Sequence, residues 1–550
     1  MDIFLNILIL MILVSLSGIA KRVIPYQLPL PLLQIAMGTI IAWPKFGLHI
    51  NFNSELFMVL FIPPLLFVDG WKTPPSEFIK HRREIVGLAL ALVLLTVVGI
   101  GYLIYWIVPG IQLLPAFCLA AVLSPTDAVA LSGIIGEGRI PKKIMAILQG
   151  EALMNDASGL VALKLAVAVC LGEMTFTFYG AIIEFIKIFI GGVTAGIIIT
   201  LLYGNALRSM SRWTEEDPVT EIIFLLLLPF ACSLIADCIE LSGILAAVAA
   251  GMTVSKSGIL HHAPLSMRLR ANSVWSMLEF LFNGMVFILL GLQLPKIIRH
   301  AFYLVDIHTH TSMKLCLLFF DIVFIYLALL VLRFSWLFIM RYISCKFIKK
   351  HPLEFSRYNL RELLTASFAG VRGAITLAGV LSVPHFINFK KEFPARYELI
   401  LLSTGVILFS LFIAMIVLPF LLRGVSTIDT FVLKNEIQNA RSIMAQVAIE
   451  SLYKMEDRLV RDTTENIDSE LIKEVTSRVV GSLRRRLDTE NNLDQILFID
   501  NLERRFRLTG LRAERGEVYH LRATQKISDE TMHKLLYELD LIEALLIENQ

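Results

Sequence analysis

The chain of 550 residues is cut into a succession of apolar runs, each long enough to cross a bilayer. A helix needs about 20 mostly apolar residues to span the hydrocarbon core. Such runs fall near residues 2–20, 28–44, 55–71, 85–108, 113–135, 144–171, 178–203, 219–236, 241–254, 273–294, 315–340, 361–383 and 398–422. Backbone groups in lipid must be satisfied within the protein, so spanning segments are helices or closed barrels. Runs this long and continuous read as helices. The predicted fold class is therefore all-α: a polytopic membrane protein with about 13 transmembrane helices. The eighth and ninth runs are separated only by Asp237, Glu240 and Gly243. The composition agrees, with 56% hydrophobic and 18% charged residues. It excludes an ordinary cytosolic enzyme, a disordered chain and a nucleic-acid binder.

The net charge of +3 conceals a division. Residues 1–424 carry 32 Lys and Arg against 24 Asp and Glu, whereas residues 425–550 carry 18 against 23. Two regions follow: a membrane domain over 1–424 and a cytoplasmic helical domain over 425–550, expected to be regulatory. Basic residues also alternate from loop to loop, 20 in the odd-numbered loops and 7 in the even ones. Basic loops stay cytoplasmic, which places the N-terminus outside and the tail inside. Residues 1–20 lack a basic leader and a small-residue cleavage signal, so they read as a retained span. In the tail, apolar positions recur with heptad-like spacing over 437–460 and 521–546, and Ser528-Asp529-Glu530 resembles a helix start. The clusters Arg484, Arg485, Arg486 and Arg504, Arg505, Arg507 read as solvated helix faces. The six cysteines lie mostly in apolar runs without CxxC pairs and read as small hydrophobes. Gly133 and Gly136 follow no strand, so no nucleotide is expected.

A few charges remain inside the apolar runs, and each is expensive there, which makes it a functional candidate. The fifth run contains Ser124-Pro125-Thr126-Asp127. Pro125 lacks an N–H and clashes with the preceding turn, so it should interrupt the helix beside Asp127. Interrupted helices expose backbone groups at membrane depth, where they hold ions. The sixth run contains Glu151, Asn155 and Asp156. Glu151 and Asn155 share a helix face, while Asp156 points elsewhere, toward Asp127. The twelfth run holds Gly370-Val371-Arg372-Gly373, a second interruption with a buried Arg. Such an Arg needs an acid, and Glu151 is the expected partner. Asp69 reads as an interfacial cap. Glu279, Asn283 and Gln293 read as inter-helix hydrogen bonders, Lys164, Lys187 and Arg333 as snorkelling or interfacial, and His261 and His262 as solvated.

At these residues the sequence resembles the monovalent cation:proton antiporter-1 family, the sodium/proton exchangers. The resemblance rests on Phe61-Ile62-Pro63-Pro64-Leu65-Leu66-Phe67, Ser124-Pro125-Thr126-Asp127, the stretch from Gly150-Glu151 to Asn155-Asp156, and Gly370 to Thr376. It is nearest to bacterial members with a long cytoplasmic tail. It implies two inverted repeats, two interrupted helices crossing at the ion site, a homodimer in the bacterial inner membrane and an elevator-like motion. It implies secondary exchange of Na⁺ or Li⁺ for H⁺, not an enzymatic reaction, and no cofactor. Asp156 would be the cation- and proton-binding carboxylate, with Asp127 and Thr126 completing the Na⁺ site and Asn155 marking electroneutral exchange. Glu151 and Arg372 would be the buried ion pair. Many members have Ser where this chain has Ala152, so Ser124, Ser158 or water would replace that oxygen. K⁺/H⁺ exchange on the same fold is the nearest rival. A cation channel and a membrane aspartyl protease lack their sequence marks here.

Overall fold

A computed structural model describes residues 2–23, 29–43, 59–136, 140–172, 178–210, 218–257, 265–306, 311–343, 357–384, 386–387, 391–423, 427–461, 469–487 and 493–547. The chain divides into two compact units, Met1–Ser426 and Thr427–Gln550.

The described part of every apolar run of the first unit falls in a helix or a helix pair. These are α1 (Asp2–Val23), α2 (Leu30–Ile41), α3 (Ile62–Lys72), the short α4 (Pro75–Lys80), α5 (Arg82–Ile107) and α6 (Leu113–Leu123) with α7 (Ala128–Ile135). There follow α8 (Lys142–Leu171), α9 (Phe178–Met210), α10 (Pro218–Cys238), α11 (Gly243–Ser257), α12 (Leu265–Asp306), α13 (Thr311–Ile343), α14 (Arg357–Phe368) with α15 (Ala374–Leu381), and α16 (Arg396–Leu422). Among the described residues, eight helices are by themselves long and apolar enough to cross a membrane, and the bent pair α6–α7 makes a ninth. A two-residue strand pair, Phe386–Ile387 with Lys391–Glu392, precedes α16. The eighth and ninth runs are separate helices. Glu240 takes a left-handed φ of 59°, and Leu241 N–H donates to Ala236 O (2.9 Å), which closes α10 before Gly243 opens α11.

Two close crossings organise one side of this unit. A Cβ on Gly291 of α12 would lie 2.1 Å from Ile35 O of α2, and one on Gly251 of α11 would lie 2.1 Å from Phe67 O of α3. Without a hydrophobic drive between helices in lipid, small residues that admit backbone-to-backbone packing define such contacts. The crossings are reciprocal. The second apolar run meets the tenth, and the third meets the ninth. Helices α1–α3 and α9–α12 pack chiefly on one another, and α5–α8 with α13–α16 form a second set. The second set holds both interrupted spans.

Within α5, residues Gly87–Ala91 form a π turn. Trp336 Nε1 of α13 donates to Gly87 O (3.1 Å), and Ser158 Oγ of α8 donates to Ala89 O (2.7 Å). Side chains from two neighbouring helices thus satisfy carbonyls that a widened turn leaves poorly bonded.

The second unit is helical: α17 (Thr427–Arg461), α18 (Ser469–Leu487), α19 (Leu493–Ala523) and α20 (Asp529–Ile547). The apolar spacing over 521–546 is divided. Gln525 takes a φ of 57° and Lys526 N–H donates to Leu521 O (2.9 Å), so α19 ends before α20 begins. Ser528 caps the new helix, accepting from Thr531 N–H (3.2 Å). Leu511, Val518 and Leu539 form a small core between α19 and α20, and Arg515 bonds Asp540 and Glu543 beside it. Of the cysteines described, Cys118 and Cys232 are buried, Cys170 is half-buried and Cys238 is exposed, all as free thiols. His261, His262 and Cys345 lie outside the described residues.

Candidate functional site

The fifth span breaks where Pro125 dictates. Helix α6 stops at Leu123, residues 124–127 leave the helix, and α7 departs at 50°. Asp127 is the N-cap of α7: its Oδ1 accepts from Ala130 N–H (2.8 Å). The second break, 369–373, separates α14 from α15. The two breaks touch through their backbones, with Asp127 N–H donating to Val371 O (2.7 Å). Gly373 is needed at this point because a Cβ there would lie 1.8 Å from Asp127 Oδ2.

Helix ends carry partial charges, positive at the N-terminus and negative at the C-terminus. Asp127 therefore lies against the N-termini of both outgoing half-helices, α7 and α15. Arg372 serves the opposite ends. Its Nε donates to Leu123 O (3.2 Å), at the C-terminus of α6, and its Nη1 donates to Gly370 O (2.9 Å), just past α14. Its own N–H is bonded to Ser410 Oγ of α16 (3.2 Å). One acid and one base thus balance four half-helix ends at the crossing.

The expected pair of Glu151 with Arg372 is not the one that forms. Glu151 is fully buried and is gripped by Arg333 of α13: Nη2 donates to Oε2 (2.7 Å) and Nη1 to Oε1. Arg333 is only 3% exposed, so it neither snorkels nor sits at an interface. Its Nε donates to Ala366 O (3.0 Å), and its guanidinium crosses the face of Gly370, where a Cβ would lie 2.7 Å from Nε. Both glycines of the second break are thereby explained, Gly370 by Arg333 and Gly373 by Asp127. The fork of Arg333 meets the carboxylate in two bonds, whereas Arg372 is taken up by carbonyls that only a donor can satisfy.

Asn155 faces Thr126. Its Nδ2 donates to Thr126 Oγ1 (2.8 Å) and to Glu151 Oε1 (3.4 Å), while its Oδ1 accepts from Thr126 N–H (3.4 Å). Thr126 Oγ1 also lies 3.5 Å from Glu151 Oε1 as a donor. The Thr126 hydroxyl is thus engaged by protein. Ser124 Oγ donates back to Ala121 O (2.8 Å), and Ser158 Oγ is committed to the π turn.

Asp156 differs from these neighbours. It is 7% exposed, and among the described residues its carboxylate makes no hydrogen bond or ion pair. It lies within electrostatic range of Asp127, Glu151 and Asp69. Asp69, read from sequence as an interfacial cap, is thus part of this acidic surround. It is partly exposed and also within range of Asp127 and Glu279. Glu279 pairs with Lys72. Asn283 and Gln293, read as inter-helix hydrogen bonders, are half-buried and make no such bond among the described residues. Lys164 pairs with Asp237 (3.4 Å) and Lys187 with Glu184 (3.0 Å). Among the described residues, no three His, Cys, Asp or Glu side chains converge as a metal site.

A model of the family described as "Sodium/hydrogen exchanger, transmembrane" matches residues 8–424. The chain belongs to the sodium/hydrogen exchanger family. It is 61% identical over 548 residues to the uncharacterized Na⁺/H⁺ exchanger YjcE of Escherichia coli (strain K12), covering 100% of both chains. It is 35% identical over 546 residues to the sodium, potassium, lithium and rubidium/H⁺ antiporter of Bacillus subtilis (strain 168), covering 99% of this chain and 78% of that one. The sodium proton antiporter MjNhaP1 of Methanocaldococcus jannaschii has the same fold, with a TM-score of 0.57 at 16% identity, over 77% of this chain and 99% of that one. As a member of an exchanger family, the protein is a transporter of cations and protons and not an enzyme. In this chain two broken spans meet through their backbones, with Asp127 and Arg372 at the half-helix ends.

Proposed function

We propose that the protein exchanges Na⁺ or Li⁺ for H⁺ one for one, with Asp156 as the group for which cation and proton compete. The observation that carries this reading is the unpartnered carboxylate of Asp156 at the crossing of the broken helices. Asp127 is engaged as a helix cap and Glu151 is held by Arg333, so each already has a fixed task. Asp156 alone of the three acids has its valence open to a visiting ion. Asp127, Asp69 and the loosened backbone at 124–127 provide the surrounding field. Thr126 and Asn155 hold the break in register with α8, and Ser124 lines it.

A charged, empty site resists transfer through a low-dielectric barrier, whereas a site neutralised by Na⁺ or H⁺ does not. Competition alone then couples the two fluxes, with an elevator-like motion of α5–α8 and α13–α16 against the other helices. Replacement of one Na⁺ by one H⁺ moves no net charge. We assign the protein to the bacterial inner membrane as a homodimer, with the N-terminus outside and residues 425–550 in the cytoplasm, where they regulate.

Replacing Asp156 by Asn tests the centre of the reading. Na⁺-dependent dissipation of a pH gradient should vanish in proteoliposomes while the protein remains folded and inserted. Retained exchange with the same pH dependence would overturn it. The name of the Bacillus subtilis relative favours a second, broader reading in which K⁺ and Rb⁺ are also carried. Comparing Na⁺, Li⁺, K⁺ and Rb⁺ in the same assay separates the two.

A further inference from the structure

On the exchange reading above, the pair Lys72–Glu279 acquires a role of its own. Lys72 is the last residue of α3, its side chain 47% exposed, and Glu279 lies on α12, 20% exposed. Their side chains meet across 207 residues of chain. Asp69 stands one turn before Lys72 on the same helix, and residues three apart share a face. Asp69 lies within electrostatic range of Glu279 and Lys72 on one side and of Asp127 on the other. Asp156 lies within range of Asp69 and Asp127. Asp69 is therefore within electrostatic range both of the Lys72–Glu279 pair and of Asp156.

A lysine there needs an explanation, because it repels the ion that the carboxylates attract. Exposed ion pairs add little stability, so holding α3 to α12 is a weak reason for it. Its chemistry is more telling. The ε-ammonium is a compact monovalent cation on a flexible four-carbon stem. It has the charge of the transported ion but cannot leave.

We propose that Lys72 is a tethered competitor of the transported cation at the inner mouth, restrained by Glu279, and that this pair sets the apparent cation affinity on that face. While Glu279 holds the ammonium, Asp69 is left to the incoming ion. When Glu279 is lost, the ammonium turns to Asp69 and occupies the path.

The test is the KM for Na⁺ in everted vesicles, whose outward face is the cytoplasmic one, with the full-length chain. Lys72→Gln should lower KM about three- to tenfold, and Glu279→Gln should raise it by a similar factor, as expected for gain or loss of one close charge interaction near a wet surface. Lys72→Arg keeps the charge and should leave KM within about twofold of wild type. If Lys72→Gln is not inserted, Lys72→Met reads the same sign. KM values that are unmoved, or that shift in the same direction for Lys72→Gln and Glu279→Gln, overturn the proposal and leave the pair as a structural clasp. Absence of Na⁺-dependent exchange in the wild-type vesicles would instead overturn the underlying exchange reading, so the two failures are distinct.

Discussion

Glu151 and Asp156 stand five residues apart on one helix and meet opposite fates. Glu151 faces α13 and is closed by two bonds from Arg333, while Asp156 turns toward the crossing and meets no partner. Removing one member of a buried ion pair strands the other charge, at a cost of about 3–5 kcal/mol. Glu151→Gln or Arg333→Met should therefore depress the thermal stability of the detergent-solubilised protein strongly, and the double variant Glu151→Met/Arg333→Met should recover much of the loss. A melting curve for each, followed by loss of the monodisperse species, makes the comparison. Gly373→Ala presents a different case. The added methyl would displace the Asp127 carboxylate from the cap of α7. Exchange should fall at least tenfold in proteoliposomes, although most of the hydrophobic core is untouched. Arg333 reads from the sequence as snorkelling because a lone Arg in an apolar run can carry its charged head along its own stem toward water. The cost argument applied to Arg372 applied equally to it. The pair Gly370 and Gly373 was the available sign that something large crosses the second break.

At the scale of elements, the chain's breaks and bends are each enforced by a local feature and completed by a distant one. Pro125 ends α6 unaided, but Asp127 can cap α7 only because Val371 O receives its N–H and Gly373 gives it room. The π turn of α5 depends on Ser158 and Trp336, which come from two other helices. Ser158→Ala leaves a buried carbonyl without its donor and should cost about 1–3 kcal/mol. The same melting assay should register it, with a smaller shift than for Glu151→Gln. The breaks themselves were legible, since Pro within an apolar run and paired glycines around an Arg have few other uses in a membrane. The π turn was not, because Gly87–Ala91 is apolar and helical in pattern and its carbonyls' partners are 69 and 249 residues away in the contacts Ala89–Ser158 and Gly87–Trp336. In the second unit, Ser528 declared a helix start in advance, whereas the left-handed turn at Gln525 carries no residue that demands it.

At the scale of the whole molecule, competition for one site makes definite statements about driving force. Protons displace Na⁺ as pH falls, so the apparent KM for Na⁺ should rise, by up to about tenfold per pH unit once the protonated site predominates. A KM independent of pH would argue against a shared site. If one H⁺ replaces one Na⁺, an imposed potential, worth about 2.3 kcal/mol per charge per 100 mV, should not alter the rate in proteoliposomes. A clear dependence on potential would exclude one-for-one exchange. Truncation after about residue 430 should preserve exchange and shift its pH–activity curve, if the acidic 425–550 unit regulates the membrane unit through charge.

The sequence by itself determined that the chain is a helical membrane protein, where its spans lie, which two are interrupted and which acids stand inside them. Lipid imposes these outcomes locally: a span needs a fixed apolar length, a proline breaks it, and a charge within it is costly wherever it occurs. Only the tertiary structure decided which partner each charge found. Arg333 took Glu151, Arg372 took the carbonyls of two half-helix ends, Asp69 joined the acidic surround, and Asp156 was left open. Pairing depends on which helix faces which and at what rotation, and the partners stand 182 residues apart for Glu151 and Arg333 and 249 for Leu123 and Arg372. That relation is a property of the packed molecule, and no local spacing encodes it.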